Sequence, residues 1–175
     1  MKILEIRRHS LRSKPGDHLN QTGVTLARLV GQNIGPFDYV VTSKYTRALE
    51  TAIAMGFAVN EQVTILSTYG RYDVEKELPW PQSFSVYAAA MKANGAGAKY
   101  ARKLAKYYES MMDSVAESRS ALTVHHGGVV EIGVVACLPE IDFESWGGYI
   151  DYCEGARLYW EDGRFIKGEV LRVSK

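Results

Sequence analysis

The chain has 175 residues, 46% of them hydrophobic and 23% charged, and its net charge is +1. That balance excludes a general nucleic-acid footprint, and no apolar run reaches the ~18 residues of a membrane span. The length suits a single domain over 1–175 whose core needs no disulfide staples.

KILEI near the start is short, apolar and bounded by charge, so it reads as a buried strand. A loop with Pro15 and Gly16 follows. LNQTGVTLARLVGQNIG is then helical, with Asn20 as N-cap and Leu26, Ala27, Val30 and Ile34 on one face. DYVVTS is a second strand. SKYTRALETAIAMG is a helix with Ser43 as N-cap, Gly56 just past its end, and an apolar stripe of Tyr45, Ala48, Ala52 and Met55. VTILST is a third strand, and YGRYDVEKELPWPQS is an irregular excursion with two prolines. Residues 84–117 are helical with a break near NGAG, and Ala101, Leu104, Ala105, Tyr108, Met111, Met112 and Val115 keep the 3.6-residue period. SALTVHH is a fourth strand and GGVVEIGVVACL a buried helix opened by glycines. ARLYWEDGRFIKGEV is a hairpin turning at Asp162-Gly163. Cys137 and Cys153 fit neither a CxxC pair nor a zinc spacing and read as reduced thiols in or near the core. The start has no signal-peptide core, which points to the cytoplasm.

Strands alternating with helices predict an α/β fold: a three-layer sandwich with a central, mostly parallel sheet flanked by helices. Ligands of such sheets bind beyond the carboxyl ends of the strands. RRH, TSKYTR and HHGG all fall at strand ends and should meet along one edge. In RRHSLR, the cations Arg7, Arg8 and Arg12 surround His9 with no acid among them. Crowded cations repel unless an anion sits between them, and arginine forks suit phosphate. A neutral His9 would be a competent nucleophile toward phosphorus, and neighbouring cations favour the neutral form. Arg47 alone reads as a solvated helix arginine, but it lies in the first helical turn after a strand, where free N–H groups and the dipole attract anions. His125 and His126 are adjacent in a strand and point to opposite faces, which argues against a shared metal. His126, before two glycines, can donate to a phosphoryl oxygen, while His125 faces the core or a neighbouring strand.

Four stretches, RRHS, LNQTG, TSKYTRALETA and VHHGGVV, occur in the order of the signatures Arg-His-Gly, Leu-Thr-x-x-Gly, Ser-x-x-x-Arg-Ala-x-x-Thr-Ala and His-Gly-Gly. Together they resemble the histidine phosphatase superfamily, which includes the phosphoglycerate mutases and the histidine acid phosphatases. The resemblance implies a phosphoglycerate mutase-like fold and phosphomonoester hydrolysis through a phosphohistidine on His9. Arg8, Arg47 and His126 would complete the phosphate pocket, and Arg12 matches the extra arginine of the acid-phosphatase pattern. Arg7 is expected on the surface or just behind the pocket. No metal or other cofactor is implied; the partner is a phosphorylated small molecule or phosphoprotein.

The chain departs from the pattern at three places. Ser10 replaces the signature glycine. Gly127 stands where acid phosphatases carry an aspartate. LSTYG lacks the glutamate that relatives place after the third strand, so the general acid is sought among Asp73, Glu75 and Glu77, with Glu75 expected because it is central. Mutase-type phosphotransfer and a non-catalytic module that binds phosphorylated ligands are the alternatives. The excursion and the segment around Trp146 are expected to shape the pocket mouth, with Tyr69, Tyr72 and Trp80 able to stack on a substrate.

Overall fold

The computed structural model describes residues 1–67 and 72–174. These residues form the strands β1 (Lys2–Arg8), β2 (Tyr39–Ser43), β3 (Glu61–Val63), β4 (Ser120–His125), β5 (Gly155–Glu161) and β6 (Arg164–Leu171). They also form the helices α1 (Gln21–Gly31), α2 (Thr46–Ala54), α3 (Tyr72–Glu77), α4 (Phe84–Lys92), α5 (Ala96–Ser114) and α6 (Val129–Cys137). The strands make one sheet in the order β3-β2-β4-β1-β5-β6. β3, β2, β4 and β1 are mutually parallel, and the β5–β6 hairpin adds the antiparallel edge. The expected α/β sandwich with a mostly parallel sheet is the fold.

Alternation along β4 shows how the layers are sorted. Ala121 belongs to the large core under α3–α6, and His125 meets Tyr108 of α5. Leu122 and Val124 pack with Val40, Ala48 and Ala52 on the α2 side. Successive side chains of a strand point to opposite faces. The next even position, His126, therefore continues toward α2.

The hairpin turns at Asp162-Gly163, both with positive φ (49° and 76°), as a two-residue loop requires. The break between α4 and α5 falls at Asn94, and both cysteines are free and buried. Three expectations are corrected. The third strand lies earlier than VTILST: only Glu61–Val63 pairs with β2, and Thr64–Leu66 winds into a 3-10 turn that sinks Leu66 into the core. The apolar run was a turn seating one side chain rather than a strand. The excursion is not wholly irregular, because Tyr72–Glu77 is helical, with Val74 and the following Leu78 buried in the main core. Ser43 ends β2 instead of capping α2, whose N-cap position is Tyr45. Thr68 and Tyr69 lie outside the described residues, as does the Tyr72 side chain.

Gly23 of LNQTG has a steric reason. A Cβ built there would overlap the Leu11 carbonyl oxygen, because α1 runs against the chain that leaves β1. Gly23→Ala is expected to cost about 1–3 kcal/mol, the usual range for overpacking. Urea unfolding of the variant against the parent checks it.

Candidate active site

The chain leaves β1 at His9, whose N–H donates to the His125 carbonyl at 2.8 Å. His9 is buried, and its Nδ1 lies 2.7 Å from the Ser10 carbonyl oxygen. A carbonyl only accepts, so Nδ1 carries the ring proton and Nε2 keeps a lone pair. Arg47 Nε donates to that Nε2 at 3.2 Å. Burial is the main cause that lowers the His9 pKa to about 3; the Ser10 bond opposes it, and the charges of Arg47, Arg8 and Arg12 add to it. The neutral His9 expected from its cationic neighbours is present, but desolvation is the larger cause.

Arg47 joins the parts. Nη2 lies 3.2 Å from His126 Nδ1, and Nη1 pairs with Asp17. Arginine can only donate, so His126 Nδ1 accepts and its Nε2 proton faces Ser43 Oγ, 2.8 Å away. Burial, then the nearby His9 and Arg47, lower the His126 pKa. The motif threonine explains how α2 is seated: Thr51 Oγ1 accepts from Ser10 N at 2.9 Å and donates to the Arg47 carbonyl at 2.6 Å. Ser10, in the place of the signature glycine, is buried and donates from Oγ to the Gly23 carbonyl at 2.7 Å. The substitution ties the His9 loop to α1.

Arg8 lies on the other side of His9. Its guanidinium carbon is 4.6 Å from the Trp80 ring centroid and 4.1 Å from that of Tyr152, and Nη1 donates to the Ile150 carbonyl at 3.0 Å. Its Nε is buried with no hydrogen-bond partner among the described residues. Tyr152 also approaches His9, with ring centroids 5.8 Å apart. Arg12 Nη1 donates to the Gly16 carbonyl at 2.6 Å, closing its own loop, while its charge still reaches His9. Arg7 is not at the surface. It is buried behind the pocket, bonded to Glu5 and to the Cys153 carbonyl.

Of the sequence candidates, His9, Arg47 and His126 are in mutual contact, and Arg8 and Arg12 are near. Glu75 is exposed on α3, and no hydrogen bond or ion pair joins it to these residues among those described. Glu77 instead caps α5, accepting from Ala96 N and Gly97 N at 2.8 and 3.4 Å. Tyr45 does not join the apolar stripe of α2. It stands half-exposed against Arg47 and His126. Trp146 packs with Phe84 and Phe143 in the core, and it is Tyr149–Tyr152 that reach the pocket wall, where Trp80 and Tyr149 meet edge to face.

Two residues escaped the sequence reading. Glu131 is fully buried in α6 and accepts from Gly128 N at 2.6 Å and Ile150 N at 2.9 Å, holding the helix entrance against the segment that binds Arg8. Burial raises its pKa, against those bonds and the Arg8 charge. A lone acid in an apolar helix was the signal. Asp17 accepts from Thr46 N at 2.7 Å and pairs with Arg47, and nothing in its loop sequence marked it.

Among the described residues no group of three or more His, Cys, Asp or Glu is arranged to hold a metal ion, and no helix is long and apolar enough to cross a membrane.

A six-stranded α/β sandwich with histidines and arginines gathered at the carboxyl edge of its parallel strands defines a class of phosphoryl-transfer proteins. The model of the histidine phosphatase superfamily, branch 1, matches residues 6–170. The chain belongs to this superfamily, a phosphatase family. A search of curated proteins finds no match. Among solved structures, the chain resembles phosphoserine phosphatase from Entamoeba histolytica in complex with 3-phosphoglyceric acid. The identity is 16%, the TM-score 0.70, and 99% of this chain and 98% of that one are covered. It also resembles a mycobacterial glucosyl-3-phosphoglycerate phosphatase in complex with VO3, at 18% identity and TM-score 0.68, covering 99% and 100% of the two chains. At these identities the likeness establishes the fold.

The buried histidines set a pH dependence of stability. His9 and His125 have folded pKa values of about 3, below their ordinary 6.5, and His126 is lowered too. As pH falls below 6.5 the unfolded chain takes up protons that the folded chain refuses. Stability is full above that pH and is lost toward pH 3, by about 1.4 kcal/mol per pH unit for each histidine. Urea midpoints at pH 7 and pH 5 measure the slope. His125→Gln, which can still bond Tyr108, is expected to remove about a third of it.

Proposed function

We propose that the chain is a phosphomonoester hydrolase that acts through a phosphohistidine at Nε2 of His9, without a metal. One observation supports this reading: the His9 ring is buried and pinned through Nδ1 by the Ser10 carbonyl, so Nε2 keeps a lone pair, which a phosphoryl group would receive by displacing the Arg47 Nε–H. Nε2 would attack phosphorus in line with the ester oxygen. A nitrogen–phosphorus bond forms, and the oxygen–phosphorus bond breaks. Arg8, Arg12, Arg47 and His126 would surround the equatorial oxygens, where phosphoryl transfer needs positioning and charge stabilisation. Arg47 has five N–H groups and gives three of them to His9, Asp17 and His126, which leaves two for a phosphoryl oxygen. The unpartnered Arg8 Nε is a further donor.

The leaving oxygen takes a proton, and Glu75 is the acid we assign. Support comes from the commitment of Glu77 to α5, which withdraws one of the three acids of this segment. Water then gives a proton back to the Glu75 carboxylate and attacks phosphorus, the nitrogen–phosphorus bond breaks, inorganic phosphate leaves, and His9 returns neutral with its proton still on Nδ1. A small phosphorylated molecule is the substrate class that the named activities of the similar structures support, and a phosphoprotein is the other form that the same chemistry admits.

The test is phosphate release from p-nitrophenyl phosphate in the presence of a chelator. The parent is expected to be active and His9→Ala to fall to background. Arg47→Ala should lose about 10²–10³-fold in kcat, as for removal of one transition-state donor. Glu75→Gln should lose more on an alkyl phosphate than on the aryl ester, which needs little protonation. Release that persists in His9→Ala would mean another nucleophile.

A further inference from the structure

Arg47 is asked to present three N–H edges to three partners at once, yet a long side chain has many rotamers. Its freedom is removed from a distance. Asp17, in the loop after β1, sends Oδ2 to Thr46 N at the start of α2 and Oδ1 to Arg47 Nη1. One carboxylate thus caps the helix and holds the guanidinium, and it complements the positive helix end as it does so.

The loop that carries Asp17 is itself fastened. Ser13 N donates to the His18 carbonyl at 2.9 Å, and Arg12 bridges to Leu19 and donates to Gly16. Glu50, one turn further along α2 than Arg47, accepts from Leu19 N at 2.8 Å and lies 2.6 Å from His18 Nδ1. Two acids, Asp17 and Glu50, therefore dock residues 12–19 along α2. Asp17 is the one whose bond ends on a group that touches His9. Burial raises its pKa, but the hydrogen bonds and charge of Arg47 and the Thr46 N–H outweigh that and hold it below the usual carboxylate range. An ionised, paired carboxylate is suited to holding a cation and poorly suited to giving up a proton.

We propose that Asp17 is a positioning residue of the active site: it orients the Arg47 guanidinium so that Nε faces His9 and Nη2 faces His126. The proposal rests on the hydrolase reading above and goes beyond it by assigning a residue that touches no reacting atom.

Asp17→Asn keeps the size and one acceptor oxygen while losing the charge, and Asp17→Ala removes both. Each is expected to lower kcat on p-nitrophenyl phosphate by about 10–100-fold, the scale of a small misplacement, with a smaller change in KM. The loss should be the same on an alkyl phosphate. A loss confined to the alkyl ester would make Asp17 the proton donor and overturn the proposal. Placed in an Arg47→Lys background, Asp17→Ala should change kcat by no more than about twofold, because the fork it holds is gone. Full additivity would overturn the proposal and leave Asp17 a purely structural cap.

Affinity for inorganic vanadate, measured by calorimetry, reads the same geometry without turnover. It should weaken about tenfold in Asp17→Asn, and an unchanged affinity would count against the role. His9→Ala separates the two readings. Activity retained there sinks the phosphohistidine, whereas parent-like kinetics in Asp17→Asn beside an inactive His9→Ala sinks only the positioning role. Thermal unfolding of each variant confirms that the folded protein is being compared.

Discussion

A buried imidazole, kept from taking a second proton by its own desolvation, is the constraint on which the carboxyl edge of the sheet depends. Desolvation supplies most of the effect, and the Ser10 carbonyl fixes which nitrogen keeps the proton. The loop after β1 has to be placed to a fraction of an ångström for that carbonyl to serve. Ser10 is accordingly held from two sides, by Thr51 of α2 and by the Gly23 carbonyl of α1. Arg47, Arg8 and Arg12 add to the cost of a second proton on His9, and under the proposed reaction the same groups would face a bound dianion. One set of side chains meets both demands.

Burying arginines carries its own cost, since a guanidinium taken from water needs partners. Arg8 is compensated by two aromatic faces, a backbone carbonyl and the charges of Asp151 and Glu131. Arg7 is compensated by Glu5, which Arg157 of β5 also grips. Arg47 has Asp17. In each case the acid is local to the cation it pairs with. That local pairing is how a chain of almost zero net charge gathers several arginines at one edge of its sheet.

Much of the site was legible because periodicity and motif order both speak about direction. Strand parity separates His125 from His126, and the structure sends the first to Tyr108 and the second to Arg47 and Ser43. Capping chemistry was read correctly at Asn20, whose side chain accepts from Gly23 N. It failed at Ser43 because the true cap of α2 comes from Asp17, 29 residues upstream of Thr46. Local sequence cannot report an acceptor that arrives from another loop. Tyr45 and Trp146 were exchanged in role for a related reason. Both are aromatic, and only the packing of α4 and of the chain before β5 puts Trp146 inside and leaves Tyr45 beside Arg47.

By itself the sequence determined the layer architecture and the sheet edge at which RRH, TSKYTR and HHGG come together, and the resemblance of four motifs singled out His9, Arg8, Arg47 and His126 as candidates there. The layers and the edge follow from short-range rules: alternation in strands, the helical period, and strand ends that carry polar motifs. Tertiary structure alone decided the tautomer of His9, the partners of Arg47, the recruitment of Asp17 and Glu131, and the withdrawal of Glu77 to cap α5. The physical reason is one of range. Hydrogen bonds and ion pairs are settled within a few ångströms, between groups that lie tens of residues apart along the chain and that only the completed sheet and its helices bring together.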